Sequence, residues 1–172
     1  MNVVGPRLVL VGPMGAGKTT VAALVAEAWG VPVRDTDADI VAAEGRSIGE
    51  IFVDDGEQRF RVVEAAAVAD ALASHDGVLA LGGGAVLDER TRAALDGLPV
   101  VFLRVGLSDA VRRVGLGSGR PLLLGNVRSR IKVLLDGRTP IYEAVATHVV
   151  DTDGRTPEEV AADVCRLLEE AP

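Results

Sequence analysis

GPMGAGKTT, residues 12–20, decides the fold. It satisfies G-x-x-x-x-G-K followed by Ser or Thr, and its surroundings are those the pattern requires. The apolar RLVLVG (7–12) reads as a strand running into it, and TTVAALVAEAW (19–29) reads as the helix leading away. Glycines 12, 15 and 17 let the loop wrap around an anion with its N–H groups pointing inward, and the helix N-terminus adds partial positive charge. On this reading Gly15, Ala16, Gly17, Lys18, Thr19 and Thr20 cradle the phosphates of a nucleoside triphosphate. Lys18 reaches the β and γ phosphates, and the Thr19 hydroxyl sits on Mg2+. Of the 18 basic residues only Lys18 and Lys132 are lysine, so a chain that otherwise writes arginine places a compact ammonium here.

Working outward from the loop, short apolar runs alternate with helical patterns. VPVRD (31–35), GVLAL (77–81), PVVFLRV (99–105) and ATHVVD (146–151) join the first strand to make five. Several are apolar without alternation, as strands are when helices cover both faces of a parallel sheet. The class is therefore doubly wound α/β. Ser47 with Glu50, and Thr156 with Glu159, predict capping boxes, and Pro157 stands at a first helical position. Residues 36–76 hold two or three helical pieces cut by EGRS (44–47) and DDG (54–56), too much for a simple crossover. An insertion of this kind beside the strand ends suits a substrate-binding subdomain, placed at about 36–64.

Composition excludes several classes. A chain of 172 residues fits one domain, 1–172, and 48% hydrophobic residues supply a core. Aromatics are 3% and the net charge is −7, with no basic run, which argues against nucleic-acid and membrane-surface partners. MNVVGPRLVLVG does not read as a signal peptide, and no apolar run reaches membrane-spanning length. The single Cys165, beside the apolar stripe of the last helical pattern, reads as an inert thiol in a reducing, cytoplasmic setting. His75 and His148 are isolated and receive no role.

The loop defines a nucleotide, not an activity. A GTPase would show D-x-x-G in its middle region and N-K-x-D; the sole D-x-x-G is DTDG (151–154), after the last strand, and N-K-x-D does not occur. A motor would need a longer chain. What remains is a kinase of small molecules, with a non-catalytic nucleotide-binding regulator as the alternative.

The acceptor half should lie at the other strand ends. In RDTDADI (34–40), Asp35 is placed to hold Mg2+ through water, and Asp37 to orient an acceptor hydroxyl and act as its base. Asp39 is expected to cap the following helix. In DDGEQRFRVVE (54–64), Arg61 could simply pair with Glu57 or Glu64. VLALGGGAVL (78–87) ends a strand in three glycines. A small polar substrate held there would meet backbone N–H groups, with Gly83 and Gly84 as donors facing the phosphate loop.

Taken in order, GPMGAGKTT, DTD (35–37), DGEQRFR (55–61), LGGGAV (81–86), GRPLL (119–123), RTPIY (138–142) and the VDT and TP near the end resemble the shikimate kinases over nearly the whole chain. The resemblance implies ATP-dependent phosphorylation of the 3-hydroxyl of shikimate, in the route to chorismate and aromatic amino acids. It also implies a three-layer α/β/α P-loop kinase fold with a five-stranded parallel sheet in the order 2-3-1-4-5, a substrate-binding insertion and a lid at about 115–127. Carboxylate-binding arginines fall on Arg61 and Arg138, the shikimate-hydroxyl aspartate on Asp37, the magnesium-side aspartate on Asp35, and backbone contacts on Gly82, Gly83 and Gly84. Glu64 matches the acid steadying Arg61, and Arg120 the lid arginine reaching the transferring phosphate. Arg113, Arg155 and Pro157 match the positions framing adenine. Small-molecule partners, ATP and shikimate, and a monomer are expected.

Overall fold

A computed structural model describes residues 5–118 and 124–169. Five parallel strands, β1 (Leu8–Val11), β2 (Val33–Asp35), β3 (Val78–Ala80), β4 (Val100–Arg104) and β5 (His148–Asp151), lie in the order β2-β3-β1-β4-β5. They are joined through α1 (Lys18–Trp29), α2 (Thr36–Glu44), α3 (Ile48–Ser74), α4 (Glu89–Leu95), α5 (Leu107–Ser118) and α6 (Leu124–Val145), and α7 (Pro157–Glu169) closes the chain. Each strand falls inside its expected span, and the sheet has the expected order.

Side chains alternate across the sheet and so build two cores. Leu8 and Leu10 of β1 face Val21, Ala22 and Val25 of α1 and Val160 and Val164 of α7. Val9 and Val11 point to the opposite face, into a cluster with Val68 and Ala71 of α3, Leu95 of α4 and Tyr142 of α6. Helices thus cover both faces, which explains the uniformly apolar central strands. Cys165 packs against the first core, half-buried, and burial pushes its thiol up from the usual range, in keeping with an inert group. Among the described residues no helix is long and apolar enough to cross a membrane.

The insertion, expected as two or three helical pieces, has three. α2 ends at Gly45, and α3 is broken at Gly56, whose φ of 84° and ψ of 165° are not helical. Ile40, Ile51 and Phe60 form a small core of their own. Both capping serine and threonine residues do their work: Ser47 Oγ accepts from the Glu50 N–H at 3.1 Å, and Thr156 Oγ1 from the Glu159 N–H at 3.2 Å.

Register brings the motifs together. Leu10 of β1 and Asp35 of β2 both pair with Ala80 of β3. The phosphate loop after β1, the acids after β2 and the glycines after β3 therefore leave the sheet side by side.

Candidate active site

The loop after β1 wraps as its glycines require. Gly17, at φ 88°, caps α1 with no side chain of its own, so the first turn of the helix presents bare N–H groups. Lys18 Nζ folds back to donate to the Gly12 and Pro13 carbonyls at 2.7 and 3.0 Å. Burial lowers its ammonium to about 8, against the opposing pull of Asp37 and Asp35. An anion entering the loop would meet a cation that the fold has only partly compensated.

Asp35 has two tasks. Its Oδ1 caps α2 by accepting from the Asp37 and Ala38 N–H groups at 2.8 and 3.3 Å, and its Oδ2 accepts from Thr19 Oγ1 at 2.7 Å. Asp39, expected as a cap, instead binds Arg34 Nε at 2.6 Å; that guanidinium also holds Asp70 and Ser74 of α3. The residue at the strand end occupies the cap position, and Asp39 lies a turn inside the helix. Asp37 is left directed at the cleft. Burial, then the neighbouring Asp35 carboxylate, raises its pKa, while Lys18 and Arg61 draw it back.

The glycine run now has a specific account. A Cβ on Gly82 would lie 2.6 Å from Asp37 Oδ1, and one on Gly84 would lie 2.3 Å from Arg61 Nη1. At two of the three glycines an added side chain would therefore displace an acceptor-side group, the Asp37 carboxylate or the Arg61 guanidinium. The backbone groups are equally engaged. The Gly82 N–H donates to buried Thr36 Oγ1 at 3.2 Å, the Gly82 and Gly84 carbonyls accept from Ala85 and Leu87, and the Gly83 carbonyl accepts from Tyr142 Oη at 2.5 Å. Among the described residues, the N–H groups of Gly83 and Gly84 have no partner, and both residues line the cleft.

Arg61 is set in place from several sides. It donates to Glu64 at 2.8 Å and lies 3.5 Å from Glu57, so both pairings open from the sequence are present. Its guanidinium lies 5.3 Å from the ring centre of Phe60. Glu64 is buried, and desolvation raises its pKa against the pull of Arg61. Arg138 makes no ion pair among the described residues, and its Nη1 would lie 3.7 Å from a Cβ on Gly83.

One cleft of about 800 Å³ collects these groups. Gly15, Gly17, Lys18, Thr19, Thr20, Asp35, Asp37, Arg61, Gly83, Gly84 and Arg138 all line it. Ala16 is buried beneath the loop, and Gly82 behind the glycine turn. Arg113, Arg155 and Pro157 lie outside this lining. Arg113 donates to the Gly15 carbonyl at 2.9 Å and to Thr152 Oγ1 and O at 3.2 and 2.9 Å. Arg155 binds Asp163 at 2.6 Å and the Asp151 carbonyl at 3.0 Å, and Pro157 opens α7. Arg120 lies outside the described residues. Sequence reading missed Thr36 and Tyr142, although Tyr142 stands inside the quoted RTPIY. It also missed the apolar wall that α6 presents through Val127, Ile131, Leu134 and Leu135.

A phosphate loop at one end of a cleft, with a carboxylate and two arginines beside open amides at the other, defines a P-loop kinase of small anionic molecules. The comparisons with known proteins fix which. The shikimate kinase family model matches residues 14–169. The chain is 62% identical over 163 residues to the shikimate kinase of Salinispora arenicola, covering 95% of this chain and 98% of that one. It is 61% identical over 163 residues to the shikimate kinase of Salinispora tropica, with the same coverage. The structure of shikimate kinase from Acinetobacter baumannii in complex with shikimate superposes with a TM-score of 0.88 at 33% identity, covering 96% of this chain and 93% of that one. The chain belongs to the shikimate kinase family.

Proposed function

We propose that the chain transfers the terminal phosphoryl group of ATP to the 3-hydroxyl of shikimate, giving shikimate 3-phosphate for aromatic amino acid biosynthesis. The observation that carries the reading is the pair of amides, Gly83 and Gly84, unpartnered among the described residues, beside Arg138 in the same cleft as Lys18. A carboxylated polyol suits that combination: arginine forks for the carboxylate, amides for the hydroxyls.

Phosphoryl transfer calls for positioning and charge neutralisation more than for a strong base. The first turn of α1 and Lys18 hold the phosphates; Lys18 exchanges the loop carbonyls for phosphate oxygens. Arg61, held by Glu64, and Arg138 take the shikimate carboxylate and so set which hydroxyl faces the phosphate loop. Asp37 accepts a hydrogen bond from that hydroxyl and receives its proton as the bond to phosphorus forms. Burial raises its pKa, which suits a carboxylate that must take up a proton late in transfer.

Mg2+ fits the residues present, because Thr19 Oγ1 and Asp35 Oδ2 stand 2.7 Å apart and offer one hydroxyl and one carboxylate oxygen, leaving the remaining positions to phosphate and water. Bound there, the ion would neutralise phosphate charge. Arg113 and Arg155 are read as shaping the nucleotide end, Arg113 by pinning the loop from behind at Gly15. The reading takes the protein as a monomer, and the lone cysteine suits a reducing, cytoplasmic setting.

A coupled ADP-release assay tests the reading. Turnover should depend on shikimate and fall sharply with quinate or gluconate. ADP release that shikimate does not stimulate would refute it.

A further inference from the structure

We propose that Tyr142 is a positioning residue that aims the Gly84 N–H into the cleft, by holding the carbonyl of the same peptide unit from behind. The inference rests on the shikimate kinase reading and adds a residue to it.

In a trans peptide the carbonyl of one residue and the N–H of the next lie in one plane and point in opposite directions. Whatever fixes the carbonyl therefore fixes the amide. For the Gly82–Gly83 unit the holder is backbone: the Gly82 carbonyl accepts from the Ala85 N–H at 3.1 Å, inside the turn that follows β3. For the Gly83–Gly84 unit it is a side chain, Tyr142 Oη, at 2.5 Å from the Gly83 carbonyl. This second unit needs such a hold more than most. It lies between two residues without Cβ, so side-chain sterics oppose its rotation very little. A side chain at Gly84 would supply that restraint only by displacing the Arg61 guanidinium.

Tyr142 is built to be a fixed donor. It is 1% exposed, and its ring stacks on Phe102 of β4 with centroids 5.0 Å apart. Burial raises its phenol pKa, with Glu64 adding to the rise and the facing Arg138 and Arg61 guanidinium groups opposing it, and the net rise keeps the hydroxyl protonated. It stands four residues after Arg138 on α6, so both project from one face of the helix. A single helical turn thus sets both a carboxylate-binding cation and the direction of a neighbouring donor, and keeps the two in register.

The test uses the fact that the chain has one tyrosine. Tyr142→Phe keeps the ring and removes the donor. Its KM for shikimate should rise about fivefold to twentyfold, while kcat and the KM for ATP stay within about twofold. Phe102→Leu, which loosens the ring stack but keeps the hydroxyl, should lower thermal stability and raise the shikimate KM less than Tyr142→Phe does. Global replacement of tyrosine by 3,5-difluorotyrosine labels this position alone and lowers its phenol pKa. The shikimate KM of that enzyme should climb with pH as the phenol ionises, since a phenolate cannot donate to a carbonyl; the unlabelled enzyme should show no such climb. In amide NMR spectra the Gly84 resonance should shift in the Phe variant, a readout independent of turnover. An unchanged Gly84 resonance, or a shikimate KM insensitive both to Tyr142→Phe and to ionisation of the fluorinated ring, overturns the proposal. If wild-type protein shows no shikimate-dependent turnover, the function falls instead, and the Gly84 spectrum still decides the positioning.

Discussion

The guanidinium of Arg61 occupies the space that a side chain at Gly84 would need, with Nη1 2.3 Å from where a Cβ would stand. The glycine after β3 and the arginine of α3 are therefore one device. Gly84→Ala should displace the arginine and raise the KM for shikimate about tenfold, with the KM for ATP unchanged. Arg61→Ala should raise it about tenfold to a hundredfold, the value of one charge-assisted hydrogen bond or slightly more. The double variant should fall short of the product of the two, because both remove the same contact. Steady-state kinetics on the three variants checks this, and a Gly84→Ala enzyme with wild-type shikimate KM would contradict it.

Lys18 makes nucleotide binding depend on pH in a definite direction. With its pKa lowered to about 8, it is charged below that pH and increasingly neutral above it. Bound phosphates favour the charged form and must restore the proton. Affinity for a non-hydrolysable ATP analogue should thus be flat below pH 8 and decline above it, by at most about tenfold per pH unit, with proton uptake on binding. Calorimetry at pH 9 in buffers of different ionisation enthalpy measures that uptake. Lys18→Met should abolish it; an equal uptake in the variant would assign the proton elsewhere.

Asp35 combines a helix cap with a proposed metal contact, and two substitutions separate them. Asp35→Asn retains a capping oxygen, so it should fold like wild type but need more Mg2+ for half-maximal rate. Asp35→Ala should in addition lose about 0.5–2 kcal/mol of stability in denaturant titration. An alanine variant as stable as the asparagine one would remove the cap from the account.

Arg113 ties the loop at Gly15 to Thr152 at the end of β5. Its loss should be felt without nucleotide. Arg113→Ala should destabilise the protein by about 1.5–3 kcal/mol, the range for hydrogen bonds to a charged group, and raise the KM for ATP. Arg113→Lys should not restore either, since one ammonium cannot reproduce the fork. An unchanged unfolding midpoint would reduce Arg113 to a contact with the nucleotide alone.

What the sequence made legible was local. The loop, the five strands and the breaks at Gly45 and Gly56 follow from spacing, periodicity and turn residues, and each stands where expected. Strand order came only through the resemblance, because periodicity does not say which strands are neighbours. What was missed joins distant positions. Arg34 reaches Asp70 across 36 residues, Tyr142 reaches Gly83 across 59, and Arg113 reaches Gly15 across 98. Nothing in the neighbourhood of any of these residues marks its partner. The glycine run was half legible. Its closeness to the phosphate loop followed from the fold class, but the reason for Gly82 and Gly84 lies in side chains from α2 and α3 that only the packed structure brings against them.

The claim on which the rest depends is that shikimate is held between the two arginines and the Gly83 and Gly84 amides, with one hydroxyl turned to Asp37 and the phosphate loop. A crystal structure with ADP, Mg2+ and shikimate measures this directly. The account predicts the carboxylate within hydrogen-bond distance of both Arg61 and Arg138, and a ring hydroxyl on a glycine amide. Shikimate bound elsewhere, or bound in the cleft with its carboxylate away from both arginines, would contradict it.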